Sequence, residues 1–217
     1  MQSKLLPLIA MLSLVGLQAG SPAVAAEPGA YIGAAFGQSQ AADLDSGRIN
    51  ASLASIGLGA ATSVDDKGSP FKLFGGFRFS ENLAVEGGYT SFGKFTSNST
   101  IVSGGSGTLS GEWSGYSLDI AAVGMLPVGQ SLTVFGKAGL GLWDLELDLT
   151  ASGPGGSLTA NDSDSGISPI VGLGAMFNVS SNFAIRADWE RHLAVGDDNT
   201  TGESDIDLIT IGAQFSF

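Results

Sequence analysis

The sequence predicts an all-β fold, an eight-stranded antiparallel up-and-down transmembrane β-barrel. Eight segments of about nine or ten residues have the length of a tilted membrane-crossing strand. The connections between these segments alternate between short and long. Alternate residues of a strand point to opposite sides of a sheet, and the charged side chains within these segments fall almost entirely on one side. These three observations together favour a barrel in lipid over a soluble sheet.

The first 26 residues predict a secretory signal peptide that is cleaved after Ala26. Lys4 precedes the apolar run LLPLIAMLSLVGL, and the small residues of SPAVAA follow it. We therefore expect residues 1–26 to be removed and residues 27–217 to form one outer membrane β-barrel domain. A retained anchor or a lipoprotein is the alternative, and the absence of cysteine excludes lipidation on that residue.

The charge balance excludes one class of partner. Without Lys4, eight Lys and Arg residues stand against 21 Asp and Glu residues, so eight minus 21 gives a net charge of −13. A strongly acidic chain is a poor match for nucleic acid.

No later run approaches 18 apolar residues, so the sequence predicts no transmembrane helix. The absence of cysteine also means that no disulfide supports the fold.

The connections give the barrel its polarity. The predicted strands are residues 30–38, 71–79, 83–92, 116–126, 132–143, 168–178, 183–192 and 207–217. The connections after the second, fourth and sixth strands are short, whereas the other four have about 32, 23, 24 and 14 residues. Transmembrane barrels combine short periplasmic turns with long extracellular loops in this way. The Gly-rich stretches at 102–115 and 151–166 are expected to be mobile loops.

The inward face of the predicted barrel collects the charged residues. These are Lys72, Arg78, Glu86, Asp119, Lys137, Arg186, Asp188 and Glu190. An eight-stranded barrel is just wide enough to be filled by side chains. Because unpaired buried ions are costly, four positive and four negative charges predict an ion-pair network that plugs the interior. Such a plug argues against a conducting pore.

The stretch DLELDLT predicts that the fifth strand continues beyond the apolar band. Asp144, Glu146 and Asp148 would then face outward, at the depth of lipopolysaccharide headgroups, where they could share divalent cations with lipid phosphates. Arg191 could meet a phosphate directly. The alternative is that these charges only keep the loops solvated. The spacing of residues 197–207 does not match a calcium loop, so no dedicated metal site and no cofactor are expected.

Several stretches resemble the transmembrane domain of the outer membrane protein A (OmpA) family. They are AYIGAAFGQS, FGGFRFSENLAVEGGY, SPIVGLGAMFNVSSNFAIRADWE and LITIGAQFSF. The resemblance implies an interior Glu–Arg pair at Glu86 and Arg186, with Lys137 as a further member of the network. Val123 and Met176 stand where better-known members have a Lys and a Glu, which implies a rewired network. The peptidoglycan-binding domain of full-length members is expected to be missing after Phe217.

The last strand carries a second resemblance. Outer membrane proteins commonly end in Phe with apolar residues at alternate preceding positions, as Phe215 and Phe217 do here. The resemblance implies that the barrel assembly machinery recognises these residues. A terminal amphipathic strand without special recognition is the alternative.

Four functions are compatible with a barrel of this kind. We expect a non-enzymatic, monomeric barrel that strengthens the envelope and displays its loops, with lipid and lipopolysaccharide as partners and an unknown loop ligand. A narrow porin-like diffusion channel is one alternative. A lipid A-modifying enzyme is another, but His192 points inward and no serine is placed beside it, so no catalytic residue is expected. A soluble lipocalin-like barrel in the periplasm is the last.

Overall fold

The computed structural model describes residues 28–197 and 201–217. The predicted signal peptide lies outside the described residues. Within these ranges the elements, in chain order, are β1 (Gly29–Ala41), α1 (Ser46–Ser55), β2 (Gly59–Asp65), β3 (Lys67–Gly68), β4 (Phe71–Ser80), β5 (Leu83–Ser103), β6 (Gly107–Val128), β7 (Leu132–Gly153), β8 (Gly156–Asn178), β9 (Phe183–Val195) and β10 (Ser204–Ser216).

Eight of these strands close into a ring. Antiparallel neighbours follow the order β10-β9-β8-β7-β6-β5-β4-β1, and β1 pairs with β10 to complete the circle. In that closing pair Ile32 lies opposite Phe215 and Gln38 lies opposite Ile209. The Phe217 amide also donates a hydrogen bond to the Ala30 carbonyl at 3.0 Å. The predicted eight-stranded antiparallel barrel is therefore confirmed.

The outer surface of the ring is an apolar belt. Large side chains on it are strongly exposed, such as Ile32 at 55%, Ile120 at 61% and Leu173 at 62%. Aromatic rings pair near its two margins: Tyr89 stacks on Tyr116 with centroids 5.5 Å apart, and Phe215 meets Phe217 edge-on at 5.4 Å. Barrels in a bilayer have such a belt, bordered by aromatic residues. Among the described residues, no helix is long and apolar enough to cross a membrane.

Four strands are longer than predicted. The predicted long connections after Phe92 and Trp143 are mostly paired strand, so β5 and β6 join at residues 104–106, and β7 and β8 at 154–155. The expectation of mobile loops at 102–115 and 151–166 was therefore wrong. The residues there are largely small and polar, so they show no alternation of apolar and polar side chains from which a strand could be predicted. Their backbones nevertheless pair with the neighbouring strands. We call the end of the barrel with these connections the long-hairpin end, and the opposite end the short-turn end.

The first long connection is also structured. Asp45 caps α1, because its carboxylate accepts hydrogen bonds from the Gly47 and Arg48 amides at 2.7 and 3.0 Å. After the helix, β2 pairs with β5 between Gly59 and Asp65, which adds a short strand to the outer part of the β5–β6 hairpin. The long-hairpin end is thus a folded surface rather than a set of open loops.

The barrel interior has three layers. An apolar layer at the short-turn end contains Tyr31, Ala35, Phe74, Ala84, Val123, Met125, Phe135, Met176 and Ala184. A second apolar layer at the long-hairpin end contains Ala41, Phe92, Phe95, Trp143, Leu145, Val195, Ile206 and Leu208. On β9, the charged residues of the interior lie between Ala184 of the first layer and Val195 of the second. The charged residues therefore lie in the middle of the barrel, with an apolar layer on either side.

Candidate functional site

Seven charged side chains meet in the middle of the barrel, and we call them the charged cluster. They are Lys72 on β4, Glu86 on β5, Asp119 on β6, Lys137 on β7, and Arg186, Asp188 and Glu190 on β9. Their side chains are almost fully buried, with exposures between 1% and 7%. Glycine makes room for them: a Cβ at Gly172 would lie 2.8 Å from Lys137 Cε.

Arg186 is the centre of the charged cluster. Its guanidinium donates to both carboxylate oxygens of Glu86, at 2.5 and 3.1 Å, and to Asp188 at 3.0 Å. The same group lies between two aromatic rings, 4.5 Å from the centroid of Phe74 and 4.4 Å from that of Phe135. A planar guanidinium suits both contacts, because it binds carboxylates with two parallel hydrogen bonds and stacks on aromatic faces.

The two lysines link the carboxylates to one another. Lys137 Nζ lies 3.3 Å from Asp188 and 3.8 Å from Glu86, and it also contacts Glu190. Lys72 Nζ lies 2.7 Å from Glu190 and 4.0 Å from Asp119. Every member of the charged cluster therefore has at least one oppositely charged neighbour. Ion pairs that satisfy one another in this way offset the cost of removing each charge from water.

The charged cluster has one more carboxylate than it has cations. Lys72, Lys137 and Arg186 face Glu86, Asp119, Asp188 and Glu190. Asp119 has the weakest contact with a cation, and two hydroxyls compensate: Thr90 and Ser117 each donate to it at 2.6 Å. These hydroxyls keep the carboxylate hydrogen-bonded in the absence of a close ammonium group.

His192 borders this acidic side of the cluster. Its Nε2 lies 3.0 Å from Glu190 Oε1, and its ring packs edge-on against Phe92 with centroids 5.0 Å apart. Ligand atoms of Asp119, Glu190 and His192 all lie within 4.8 Å of one another, which is a spacing that one metal ion can span. However, the Lys72 and Lys137 ammonium groups already contact Glu190 there. A divalent ion would have to enter beside two positive charges, which disfavours a metal centre.

The sequence missed several uncharged members of this network. The Tyr31 hydroxyl donates to Glu86 at 3.1 Å, and Gln214 accepts from Arg186 at 3.4 Å. Thr90 and Ser117 complete the set. All four lie on the inward face of their strands, so the alternation that selected the charged residues could also have identified them.

Arg78 lies apart from the charged cluster. It is 7% exposed, near the short-turn end of β4, and it lines a small cavity with Glu81, Thr133 and Asn178. Strand alternation predicts which face a residue occupies, but not its depth along the barrel, and this is why the sequence grouped Arg78 with the other seven.

The interior provides no hydrogen-bonded nucleophile and base at His192. Within residues 28–197 and 201–217, neither the buried Ser168 hydroxyl nor His192 Nδ1 has a hydrogen-bond partner, so the two do not bond to each other. Nucleophilic catalysis requires that contact between a serine and its base. His192 is also fully buried, which keeps it away from lipid substrates.

The predicted acidic rim occupies the outer face of the β7 extension. Asp144 is half-buried, while Glu146 and Asp148 are exposed, and Leu145 and Leu147 between them point inward and are buried. Asn161 of β8 donates to Asp148. On the neighbouring β5–β6 hairpin, Lys94 pairs with Glu112 at 2.6 Å, and this hydrogen bond and the Glu112 charge raise the pKa of Lys94.

Arg191 and the two terminal phenylalanines lie at opposite margins of the barrel. Arg191 donates to both oxygens of Asp207, at 2.8 and 2.5 Å, and lies 3.7 Å from Asp205. Its charge is therefore already compensated by this chain. Phe215 and Phe217 are exposed at the short-turn end, on the outer face of β10.

Comparison with known proteins identifies the family. A model of the OmpA-like transmembrane domain matches residues 25–217. Outer membrane protein A of Yersinia pseudotuberculosis serotype I is 29% identical over 66% of this chain, and that of Shigella flexneri is 24% identical over the same share. The matched region spans only 38% and 39% of the length of those two relatives.

Solved structures with a similar fold are outer membrane proteins. OprG of Pseudomonas aeruginosa gives a TM-score of 0.50 at 11% identity, over 89% of this chain and 98% of that one. The outer membrane protease OmpT of Escherichia coli gives 0.51 at 12% identity, over 87% and 97%. At such identities the likeness shows the fold alone, whereas the family match extends over the whole barrel. The chain belongs to the OmpA-like transmembrane domain family of outer membrane β-barrels.

Proposed function

We propose that this protein is a non-enzymatic barrel that strengthens the outer membrane and displays its long hairpins, with its interior closed to ions. The observation that carries the proposal is the charged cluster held between two apolar layers. An ion crossing the barrel would have to pass Phe74 and Phe135, then the charged cluster, and then Phe92 and Trp143. A hydrophobic constriction alone can block conduction, and here two are present in series.

The envelope role is supported by what the two surfaces offer. The apolar belt anchors the protein in lipid, and the half-buried Asp144 and the exposed Glu146 and Asp148 stand next to it at the long-hairpin end. Oxygen ligands of this kind suit Mg²⁺ and Ca²⁺. We propose that they share such cations with lipopolysaccharide phosphates. Since Arg191 is already paired with Asp207, its guanidinium is less available to a phosphate than an unpaired arginine would be.

At the short-turn end, we propose that Phe215 and Phe217 form the signal read by the barrel assembly machinery, and that the folded protein is a monomer. Their exposed, mutually packed rings present an apolar patch on the strand that closes the barrel. The short turns would then face the periplasm and the long hairpins the exterior, as in other outer membrane barrels.

Conductance in planar lipid bilayers tests the closed interior. We expect the purified protein to give no steady ion current, because the apolar layers persist when single ion pairs rearrange. A variant with Phe92→Ala, Phe135→Ala and Trp143→Ala opens both layers and leaves the charged cluster as the remaining barrier, so a small current is expected, below that of an open pore. Leu173→Ala on the lipid face is the matched control and should behave like the parent. A steady, sizeable current through the parent protein would favour the channel alternative instead.

The enzyme alternative is tested separately. Incubation of the purified barrel with lipid A, followed by mass spectrometry, should leave the lipid unchanged, because His192 is buried and no serine among the described residues is hydrogen-bonded to it. Loss of an acyl chain or addition of a group would contradict the non-enzymatic role. The same preparation with His192→Gln would show whether any such activity depends on this imidazole.

A further inference from the structure

A cavity opens at the long-hairpin end of the barrel, above the second apolar layer. Its volume is about 180 Å³. The inner wall is apolar and includes Leu44, Phe95, Trp113, Leu145 and Ile206. Beneath it, Phe92 and Leu208 are buried and close the way to the charged cluster. The cavity is therefore a pocket with a closed floor, open toward the side on which the hairpins project.

The wall of this pocket is held in place by hydrogen bonds. The Trp113 indole donates to the Thr201 carbonyl at 2.9 Å, and the Asp43 amide donates to the Ser204 hydroxyl at 3.0 Å. The Ala42 amide donates to the Asp205 carbonyl at 2.9 Å. Since these bonds tie the β1 end and the β10 end together around the opening, the pocket exists before any ligand binds. Preorganisation of this kind lowers the entropic cost of binding.

The rim of the pocket is negatively charged. Asp43 and Glu203 line it, and Asp45 stands beside it. Arg48 is the positive group in the lining, and it is already engaged by Asp43 at 3.0 Å and by Asp45 at 3.7 Å. Arg191 lies near Asp43 as well, and it is paired with Asp205 and Asp207. Five carboxylates thus stand against two guanidinium groups around the opening. The imbalance agrees with the formal charge of −12 on the whole chain, and it favours a ligand that brings a positive charge to the opening.

The size and chemistry of the pocket define its ligand. Sites for drug-sized molecules measure roughly 300–1,000 Å³, whereas an apolar cavity of about 150 Å³ holds one benzene molecule. A volume of about 180 Å³ therefore suits one ring or a short branched alkyl group. The indole of Trp113 and the ring of Phe95 can attract a cation through their π faces.

We propose that this pocket binds small organic ammonium ions, with the apolar body of the ligand against Phe95 and Leu145 and its cationic head at the Asp43 and Glu203 carboxylates. The outer side of the second apolar layer lines this pocket, and the buried Phe92 and Leu208 separate it from the charged cluster. Ligand binding at the opening is therefore a property separate from ion conduction through the barrel. This inference assigns the long-hairpin end a ligand class in addition to its part in the proposed envelope role.

Calorimetric titration of the protein in zwitterionic lipid nanodiscs tests the proposal, with empty nanodiscs to subtract lipid partitioning. Benzyltrimethylammonium carries both the ring and the cation and is expected to bind saturably at one site. Tetramethylammonium, which lacks the ring, should bind more weakly, and benzenesulfonate, which reverses the charge, should not bind. Equal binding of benzenesulfonate, or no saturable binding of benzyltrimethylammonium, would overturn the proposal.

Variants separate the contributions of charge and ring. Asp43→Asn and Glu203→Gln should each weaken benzyltrimethylammonium binding about fivefold, as expected for one charge a few ångströms away in water. Asp162→Asn removes an exposed carboxylate outside the pocket and should leave the affinity unchanged. If Asp43→Asn and Glu203→Gln bound as tightly as Asp162→Asn, the pocket would bind only the apolar part of the ligand and the proposed ligand class would be wrong.

Two substitutions of Trp113 isolate its ring. Trp113→Phe and Trp113→Leu both lose the hydrogen bond to Thr201, but only the phenylalanine keeps a π face, so its affinity should exceed that of the leucine variant about two- to fivefold. Ala41→Leu adds bulk to the lining and should abolish binding. Heat-modifiable migration of each variant in gels reports that the barrel is folded. Identical affinities for the two Trp113 variants would contradict a role for the ring.

Discussion

Arg186 illustrates how a single residue can hold the barrel interior together. It binds two carboxylates, stacks between two aromatic rings, and contacts the Gln214 amide oxygen. Its neighbours belong to β4, β5, β7, β9 and β10, so it links strands that are distant in sequence. The consequence is an asymmetry in its energetics: the formed network is modestly favourable, whereas removal of one partner leaves uncompensated charges in a buried site.

This asymmetry gives a prediction for Arg186→Met. The substitution keeps much of the side-chain volume but leaves Glu86 without its bidentate partner, so we expect it to lower the free energy of unfolding by about 3–5 kcal/mol. Urea titration of the protein refolded in lipid vesicles measures this change. Adding Glu86→Gln to the same chain should restore part of the loss, because it removes one of the unpaired charges.

Arg191→Met is the matched control for Arg186→Met. Its side chain is 35% exposed and pairs with Asp207 at the margin of the barrel. Partly exposed ion pairs contribute roughly 0–1 kcal/mol, so its loss should be small. Equal costs at Arg186 and Arg191 would mean that burial of the charged cluster contributes nothing.

Individual residues also show what the sequence could and could not predict. The alternation of apolar and polar residues placed Glu86, Arg186 and Lys137 on the inward face without any structural information. A charged side chain on the lipid-facing side of a strand would destabilise the barrel in the membrane. It could not place Arg78 at a different depth, since the offset between neighbouring strands depends on the pairing register. Nor could it pair the His192 ring with Glu190, which requires knowledge of side-chain rotamers.

Among the elements, the hairpins β5–β6 and β7–β8 depart furthest from the prediction. The eight strands and their order follow from apolar alternation, but these two hairpins extend well past the belt. Their outer parts have long polar runs, such as residues 157–165 on β8. The apolar side chains in that run, Leu158 and Ala160, are both exposed, so no apolar face is buried there. The stability of such ladders comes from backbone hydrogen bonds and neighbouring strands rather than from a pattern that can be read in the side chains.

The outer part of β7–β8 should therefore be separable from the barrel. We expect that replacing residues 149–160 with Asn-Gly, which joins Asp148 directly to its paired residue Asn161, leaves a folded barrel, because Asn-Gly forms the tight turn that suits such a hairpin. Heat-modifiable gel migration and proteinase K resistance in lipid vesicles measure the outcome.

A deeper deletion provides the contrast. Joining Leu140 to Pro169, which are also paired, removes Trp143 and Leu145 from the second apolar layer. This variant should be much less stable, since large apolar side chains lost from a core cost about 3–5 kcal/mol each. Failure of the shorter deletion to fold would show that the outer hairpin takes part in the barrel core.

At the scale of the whole molecule, the distribution of polar and apolar residues is the reverse of that in a soluble protein. Ions and hydrogen bonds fill the middle, and the large apolar residues of the belt face outward. Membership in the OmpA-like family and the closed ring agree with this inversion. Two features make it stable in lipid: every backbone polar group of a closed ring can be paired, and the belt presents no charge to hydrocarbon.

The same charged substitution at two positions tests the inversion. Leu173 is 62% exposed within the belt, whereas Leu158 is 73% exposed near the tip of the β7–β8 hairpin. We expect Leu173→Arg to destabilise the protein in lipid vesicles by about 2–4 kcal/mol, and Leu158→Arg to change it by no more than about 0.5 kcal/mol. Urea-induced unfolding followed by tryptophan fluorescence gives both values. Comparable effects at the two sites would indicate that the belt does not contact hydrocarbon.

The pairing of β1 with β10 imposes an order on biogenesis. Because the first strand finds its second neighbour only in residues Ser204–Ser216, a nascent polypeptide that has emerged as far as β9 still exposes two raw sheet edges. Such edges cannot enter a bilayer unaccompanied, since hydrocarbon offers nothing to their free amides and carbonyls. The ring is therefore complete only once β10 is present, and before that both margins are open to pairing with another chain.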